Sequence, residues 1–125
     1  MPSELLHIQN LFKKLCKQPI YEFPKPREAL HASDKQGVYV IMNSKNRVVH
    51  VGRTPRAKHG IYQRIKNHLY GNSSFTYYYL SGKGSKLRYG YRYRYLEIKD
   101  PRKRALLESY AIAHLCPLHI GLGDE

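Results

Sequence analysis

Glu108 occupies a position where a carboxylate is costly. On a helical projection of the segment after Asp100 it falls between Ile112 and Leu115 and near Ala105, inside an apolar stripe. A lone carboxylate there loses on the order of several kcal/mol to desolvation unless it is paired or holds a cation. Two readings follow. One is a salt bridge to an arginine such as Arg64. The other is a ligand for a hard divalent cation, because Mg²⁺ is often held by one or two carboxylates and keeps several waters. Tyr39 and His50 form a second group of interest, two proton-bearing side chains expected on one face of a hairpin. Arg64 and His68 form a third, four residues apart and adjacent along the edge of a helix.

The elements that position these residues are legible from periodicity. Gly37 to Met42 and Arg47 to Val51 are rich in Val and Ile, with Asn43-Ser44-Lys45-Asn46 as turn residues between them. With the turn centred between Ser44 and Lys45, Tyr39 lies directly opposite His50. Val38, Val40 and Met42 then share the other face with Val49 and Val51. A helix is predicted from about His59 to Tyr70, with Ile61, Ile65 and Leu69 inward and Gly71 as its stop. Tyr89 to Ile98 reads as a third strand, with Tyr89, Tyr91, Tyr93 and Tyr95 on one face and Arg92 and Arg94 on the other. Asp100 caps a last helix, Pro101 starts it, and it ends before Pro117. Ahead of all this, residues 1–36 read as an extension with no chemistry of its own. It comprises a helix capped by Ser3, with Leu5, Ile8, Phe12 and Leu15 in one stripe, and an extended connection broken by Pro19, Pro24 and Pro26. Residues 37–125 form the domain proper. Ser81 to Lys86 carries glycines and lysines but lacks phosphate-loop spacing, so no nucleotide site is assigned there.

Charge narrows the partners. Lys and Arg total 22 against 9 acidic residues, a net charge of +13 on 125 residues. So large an imbalance repels itself and points to a polyanion, most often nucleic acid; a ribosome-like or merely soluble basic protein is the plainer alternative. Membrane surfaces are disfavoured, because the basic residues do not sit opposite an apolar helix face. No apolar run approaches spanning length and no signal core opens the chain, so an intracellular, cytoplasmic protein is expected, with nucleoid or nuclear association open. Cys16 and Cys116 lie far apart in apolar company, cannot make a zinc site alone, and read as buried free thiols.

Taken in order, these residues resemble the signature of the GIY-YIG nuclease family. Gly37-Val38-Tyr39 is followed, ten residues on, by His50-Val51-Gly52-Arg53-Thr54. Arg64 and His68 then stand at Arg-x-x-x-His spacing. Glu108 sits in Leu106-Leu107-Glu108-Ser109-Tyr110-Ala111-Ile112, and Pro117-Leu118-His119 stands where the family commonly has Pro and then Asn. The likeness spans about residues 36–121. A second Gly60-Ile61-Tyr62 has no glycine-ended strand after it and is set aside. The resemblance implies an α+β fold: a three-stranded antiparallel sheet flanked by helices, here with an N-terminal helical extension. It also implies phosphodiester hydrolysis with one divalent metal, Mg²⁺ or Mn²⁺. Carried over, Tyr39 would be general base or proton relay, Arg64 would bind the scissile phosphate, and Glu108 would hold the metal. His68 would orient the nucleophile or relay its proton, and Arg53 would lower the phenol pKa of Tyr39 by proximity.

Two departures bear on activity. His50 replaces the second signature tyrosine; imidazole can also take or give a proton, but the change equally marks a site that has lost cutting. His119 replaces the asparagine and is a candidate polar contact. His7, His31, His59 and His114 receive no role. For grip, nine Lys or Arg residues fall between Lys83 and Arg104. Lys83, Lys86, Arg88, Arg92, Arg94, Arg102, Lys103 and Arg104 are the candidate nucleic-acid contacts. Interleaved tyrosines would stack on unpaired bases; the plainer reading makes the tyrosine face sheet core and the arginine face solvated. DNA is the first expected substrate and RNA the second. Site specificity must come from this patch, the N-terminal extension, dimerisation or a partner protein. A non-cutting binding module on the same fold stands as the alternative to an endonuclease.

Overall fold

The computed structural model describes residues 3–55 and 58–121; the last four residues of the expected 37–125 domain lie outside it. Ser3 opens α1 (Glu4–Cys16), its hydroxyl accepting the Leu6 N–H at 3.0 Å, and the helix buries Ile8 and Leu15. The sheet is antiparallel and four-stranded: β1 (Tyr21–Glu22), β2 (Gly37–Met42), β3 (Val48–Arg53) and β4 (Arg92–Glu97), in the order β1-β4-β2-β3. Three strands were expected. The fourth, β1, is a two-residue edge strand hidden in what reads as a proline-broken connection. Pro19 and Pro24 flank it on the open edge, where a missing N–H costs no ladder bond.

Central β2 is buried along its whole length, and its alternate residues feed two cores. Tyr39 and Ile41 pack with Tyr93, with Ile61, Ile65 and Leu69 of α2 (Gly60–Leu69), and with Phe75 of α3 (Ser74–Tyr79). Val38, Val40 and Met42 pack on the other side with Ile8 and Leu15, and with Leu107 and Ala111 of α4 (Pro101–Leu115). Residues 3–36 are stitched into this body: α1 lies on α4, and the Lys35 and Ser33 carbonyls accept the Ile61 and Tyr62 N–H groups at the start of α2, which has no side-chain cap. Among the described residues no helix is long and apolar enough to cross a membrane.

The hairpin register departs from expectation in a way that preserves its faces. Asn43 closes a longer turn, bonded to Arg47 and Asn46, with Asn46 left-handed at φ 63°. A bulge then inserts Val49 into β3, so Ile41 pairs with His50 and Tyr39 with Gly52. The expected pairing of Tyr39 with His50 is therefore off by two residues. A slip of one would have turned His50 to the opposite face; a slip of two keeps it on the face of Tyr39. Only Val49 changes sides, joining the Tyr39 core instead of the Val51 core.

Two further expectations change. The third strand is shorter than Tyr89–Ile98, because a 3₁₀ turn (Gly84–Arg88) and left-handed Gly90 precede it and leave Tyr89 outside the sheet, 79% exposed. Both cysteines are exposed rather than buried: Cys16 ends α1 and Cys116 is the left-handed residue that stops α4.

Candidate active site

Tyr39 is the centre of the constellation. Its side chain crosses the sheet over Gly52, where an added Cβ would lie 2.3 Å from the phenol oxygen, so glycine is what lets the ring lie there. The phenol meets His68 Nε2 at 2.6 Å, and neither residue has appreciable solvent exposure. His68 reaches the phenol because α2 packs on this face of the sheet through Ile61, Ile65 and Leu69. Its other ring nitrogen meets the Ser73 hydroxyl at 2.7 Å.

His50 stands beside this pair. Its ring stacks on Phe75 at 4.5 Å between centroids, and lies 5.0 Å from His68 and 5.9 Å from Tyr39. The chain after α4 runs along the outer edge of β3, with the Leu118 and His119 N–H groups donating to the Val48 and Val49 carbonyls. That brings the buried His119 ring to 5.8 Å from His50. Sequence order alone could not place His119 here; the edge pairing does.

Arg64, one turn before His68, is the group whose charge reaches all the others. It acts on Tyr39, His50, His68 and Glu108, and its buried Nε has no hydrogen-bond partner among the described residues. Glu108 comes from α4 on the other face of the sheet, yet its charge also acts on Tyr39. It is paired with Arg53, Nε to Oε1 at 3.3 Å, so the salt-bridge partner is Arg53 where Arg64 was the expected one. Arg53 is thus engaged by Glu108, and it is Arg64 that pulls on the phenol of Tyr39.

Burial sets the protonation states. It pushes the Tyr39 phenol up to about 12, against the charge and hydrogen bonding of Arg64. Desolvation, then repulsion from His119 and Arg64, lowers His50 to about 3. Desolvation, then the neighbouring His50 and Arg64, hold His68 well below the ordinary imidazole range. Desolvation raises Glu108, opposed by Arg53 and Arg64. At neutral pH the site holds a neutral phenol and neutral His50 and His68 facing a guanidinium. Such a cluster can accept and pass protons while Arg64 binds an anion.

For a metal, the described residues contain no group of three or more His, Cys, Asp or Glu side chains placed around one point. Glu108 fits as a single carboxylate ligand: Arg53 Nε holds Oε1, and the side chain remains 24% exposed. A hard cation that keeps most of its waters suits that donor set; a zinc-like closed site does not.

The candidate nucleic-acid contacts are not gathered into one patch. Lys83 and Lys86 are exposed at the 3₁₀ turn, and Arg88 beside them donates to the Pro24 carbonyl at 2.6 Å and lies over the Tyr70 ring. Arg92 and Arg94 lie on the α1 face, away from Tyr39, and Arg94 donates to the Cys16 carbonyl. Arg102 makes a bidentate pair with Glu4 at 2.8 and 2.9 Å, with Lys103 next to it on α4. Arg104 is buried and ties the Ile98, Lys99 and Pro55 carbonyls together, which leaves it no reach to a phosphate. The tyrosines also divide: Tyr93 is core, whereas Tyr70, Tyr77 and Tyr89 are 60%, 67% and 79% exposed. Tyr70 and Tyr77 were not singled out by spacing, because neither belongs to a strand-like alternation. No protein-family model matches the chain, and no curated protein matches it.

Proposed function

We propose that this chain is a divalent-metal-dependent endonuclease that hydrolyses phosphodiester bonds in DNA, a nuclease domain of the GIY-YIG kind. The observation that carries this reading is the Tyr39–His68 pair at 2.6 Å, lying under the charge of Arg64 and Glu108. In hydrolysis, the attacking water passes a proton to the Tyr39 oxygen as the phenol passes its own to His68 Nε2. The charge ends on the imidazole and no free phenolate accumulates; the negative charge of the bound phosphate offsets the burial that otherwise disfavours an imidazolium at His68. Because Tyr39 has no solvent exposure, water reaches it when Arg64 shifts toward an incoming phosphate. The unpartnered Nε of Arg64 is a ready donor to a non-bridging oxygen, and its charge offsets what builds up in the transition state. Glu108 would hold Mg²⁺ or Mn²⁺ through its part-exposed carboxylate, with waters and phosphate oxygens completing the shell. When bound, the cation supplies Lewis-acid polarisation of the phosphate and stabilises the leaving oxygen.

A second reading is favoured by two observations: Arg53 is already paired with Glu108, and His50 stands where the resemblance calls for tyrosine. On that reading the domain binds nucleic acid without cutting it. The experiment is a cleavage assay on plasmid, single-stranded and branched DNA and on matched RNA, with and without Mg²⁺, beside the Glu108→Ala protein. Metal-dependent nicking of DNA that Glu108→Ala lacks supports the endonuclease; salt-sensitive binding with no cleavage under any divalent ion supports the binding module.

A further inference from the structure

We infer that Ser73 and Thr76 fix the proton of His68 on Nδ1, so that in the Tyr39–His68 bond the phenol is the donor and His68 Nε2 the acceptor. The polarity follows from counting protons along a closed chain of hydrogen bonds. The Thr76 hydroxyl lies 2.5 Å from the His68 carbonyl oxygen, which can only accept; Thr76 therefore donates there. Its one proton is then spent, and in its 3.0 Å contact with Ser73 it must accept, which makes Ser73 Oγ the donor. That spends the only proton of Ser73. Its oxygen also accepts the Thr76 N–H at 3.1 Å. The remaining contact, 2.7 Å to His68 Nδ1, can be satisfied only if the imidazole carries the hydrogen at Nδ1. A neutral imidazole with hydrogen on Nδ1 presents a lone pair at Nε2, and the Tyr39 phenol fills it.

The arrangement combines an ordinary helix cap with a second task. Ser73 caps the six-residue α3, and the same oxygen sets which way a proton can move on the far side of the ring. With Nδ1 free to lose its hydrogen, His68 could reverse and donate to the phenol oxygen, leaving no acceptor for its proton. Ser73 and Thr76 are positioning residues: they act through His68 and touch neither Tyr39 nor any phosphate. The functional consequence rests on the endonuclease reading above, whereas the tautomer itself does not.

Long-range ¹H–¹⁵N correlation spectra of the uniformly ¹⁵N-labelled protein near neutral pH report the tautomer directly. The expected pattern for His68 is a protonated-type Nδ1 and an unprotonated-type Nε2; the reverse pattern overturns the inference. Tyr39→Phe provides a second arm that leaves α3 and its cap alone. Because Ser73 sets the tautomer, His68 should keep hydrogen on Nδ1 in that protein, and a switch to Nε2 would show that the phenol had been in control. In the cleavage assay, Ser73→Ala should lower kcat at least tenfold with KM unchanged, and Ser73→Thr, which restores the hydroxyl, should recover most of it. Equal kcat in Ser73→Ala and the unaltered protein would remove the catalytic consequence. An unaltered protein that cuts nothing yet shows hydrogen on Nδ1 would retire the endonuclease and leave the tautomer assignment standing.

Discussion

At the scale of single residues, the site keeps groups neutral that would be charged in the unfolded chain, and this fixes a pH dependence. Desolvation, then His119 and Arg64, depresses His50 to about 3; desolvation, then His50 and Arg64, holds His68 well below its ordinary range. The unfolded chain takes up protons on both residues below about pH 6.5, and the folded chain refuses them. Stability is therefore fully present above that pH and falls as pH drops toward the folded values. At His50 this removes on the order of 2 kcal/mol by pH 5, and His68 shifts stability in the same direction. Glu108, which burial raises, works in the opposite sense only once the carboxylate range is reached. Urea unfolding at pH 7 and pH 5 checks this, with the midpoint expected to fall markedly. A His50→Phe protein should lose less than the unaltered chain, since stacking on Phe75 survives the change. Equal unfolding free energies at the two pH values would mean that the histidines are not sealed from water.

At the scale of elements, the hairpin and its one close crossing decide the geometry. Gly52 sits opposite Tyr39, and a Cβ there would press on the phenol oxygen and on Cζ at 2.5 Å. Gly52→Ala should therefore swing the ring off His68 or bend β3, costing roughly 1–3 kcal/mol as overpacking does and abolishing cleavage. Thermal unfolding reads the first effect and the nuclease assay the second; a Gly52→Ala protein with unchanged melting and cleavage would place the ring elsewhere. Much of this level is legible in the sequence. The Asp100-Pro101 start of α4, the Val-rich strands and the spacing of Ile61, Ile65 and Leu69 each carry a local physical signal, and each element forms where that signal lies. What periodicity could not supply is non-local. The Val49 bulge depends on the neighbouring strand, and β1 is two residues long, too short to show an alternation. The Ser73–Thr76–His68 loop of hydrogen bonds joins two helices through side chains that look like ordinary caps. His119 stands at a motif position, but the edge pairing that delivers it to the site is non-local.

At the scale of the molecule, the +13 charge is real but not uniformly available. Arg94, Arg102 and Arg104 are occupied within the chain, whereas Lys83 and Lys86 stand exposed beside Arg88 and the exposed Tyr70. Nucleic-acid affinity should fall steeply with salt, and Lys83→Ala or Lys86→Ala should each reduce the slope of log affinity against log salt by about 1. Arg102→Ala, which removes a residue already paired with Glu4, should leave the slope nearly unchanged. Fluorescence-anisotropy titrations at three salt concentrations separate the two classes; equal effects from Lys86 and Arg102 would mean that the basic surface is read as a whole. The central claim is that a phenol, a guanidinium and a carboxylate from three elements act on one phosphodiester. Single-turnover cleavage of one plasmid by Tyr39→Phe, Arg64→Ala and Glu108→Ala in Mg²⁺ tests it most directly. The account predicts a loss of at least about a hundredfold in each protein with the fold intact. Cleavage at the unaltered rate by any one of the three would contradict it.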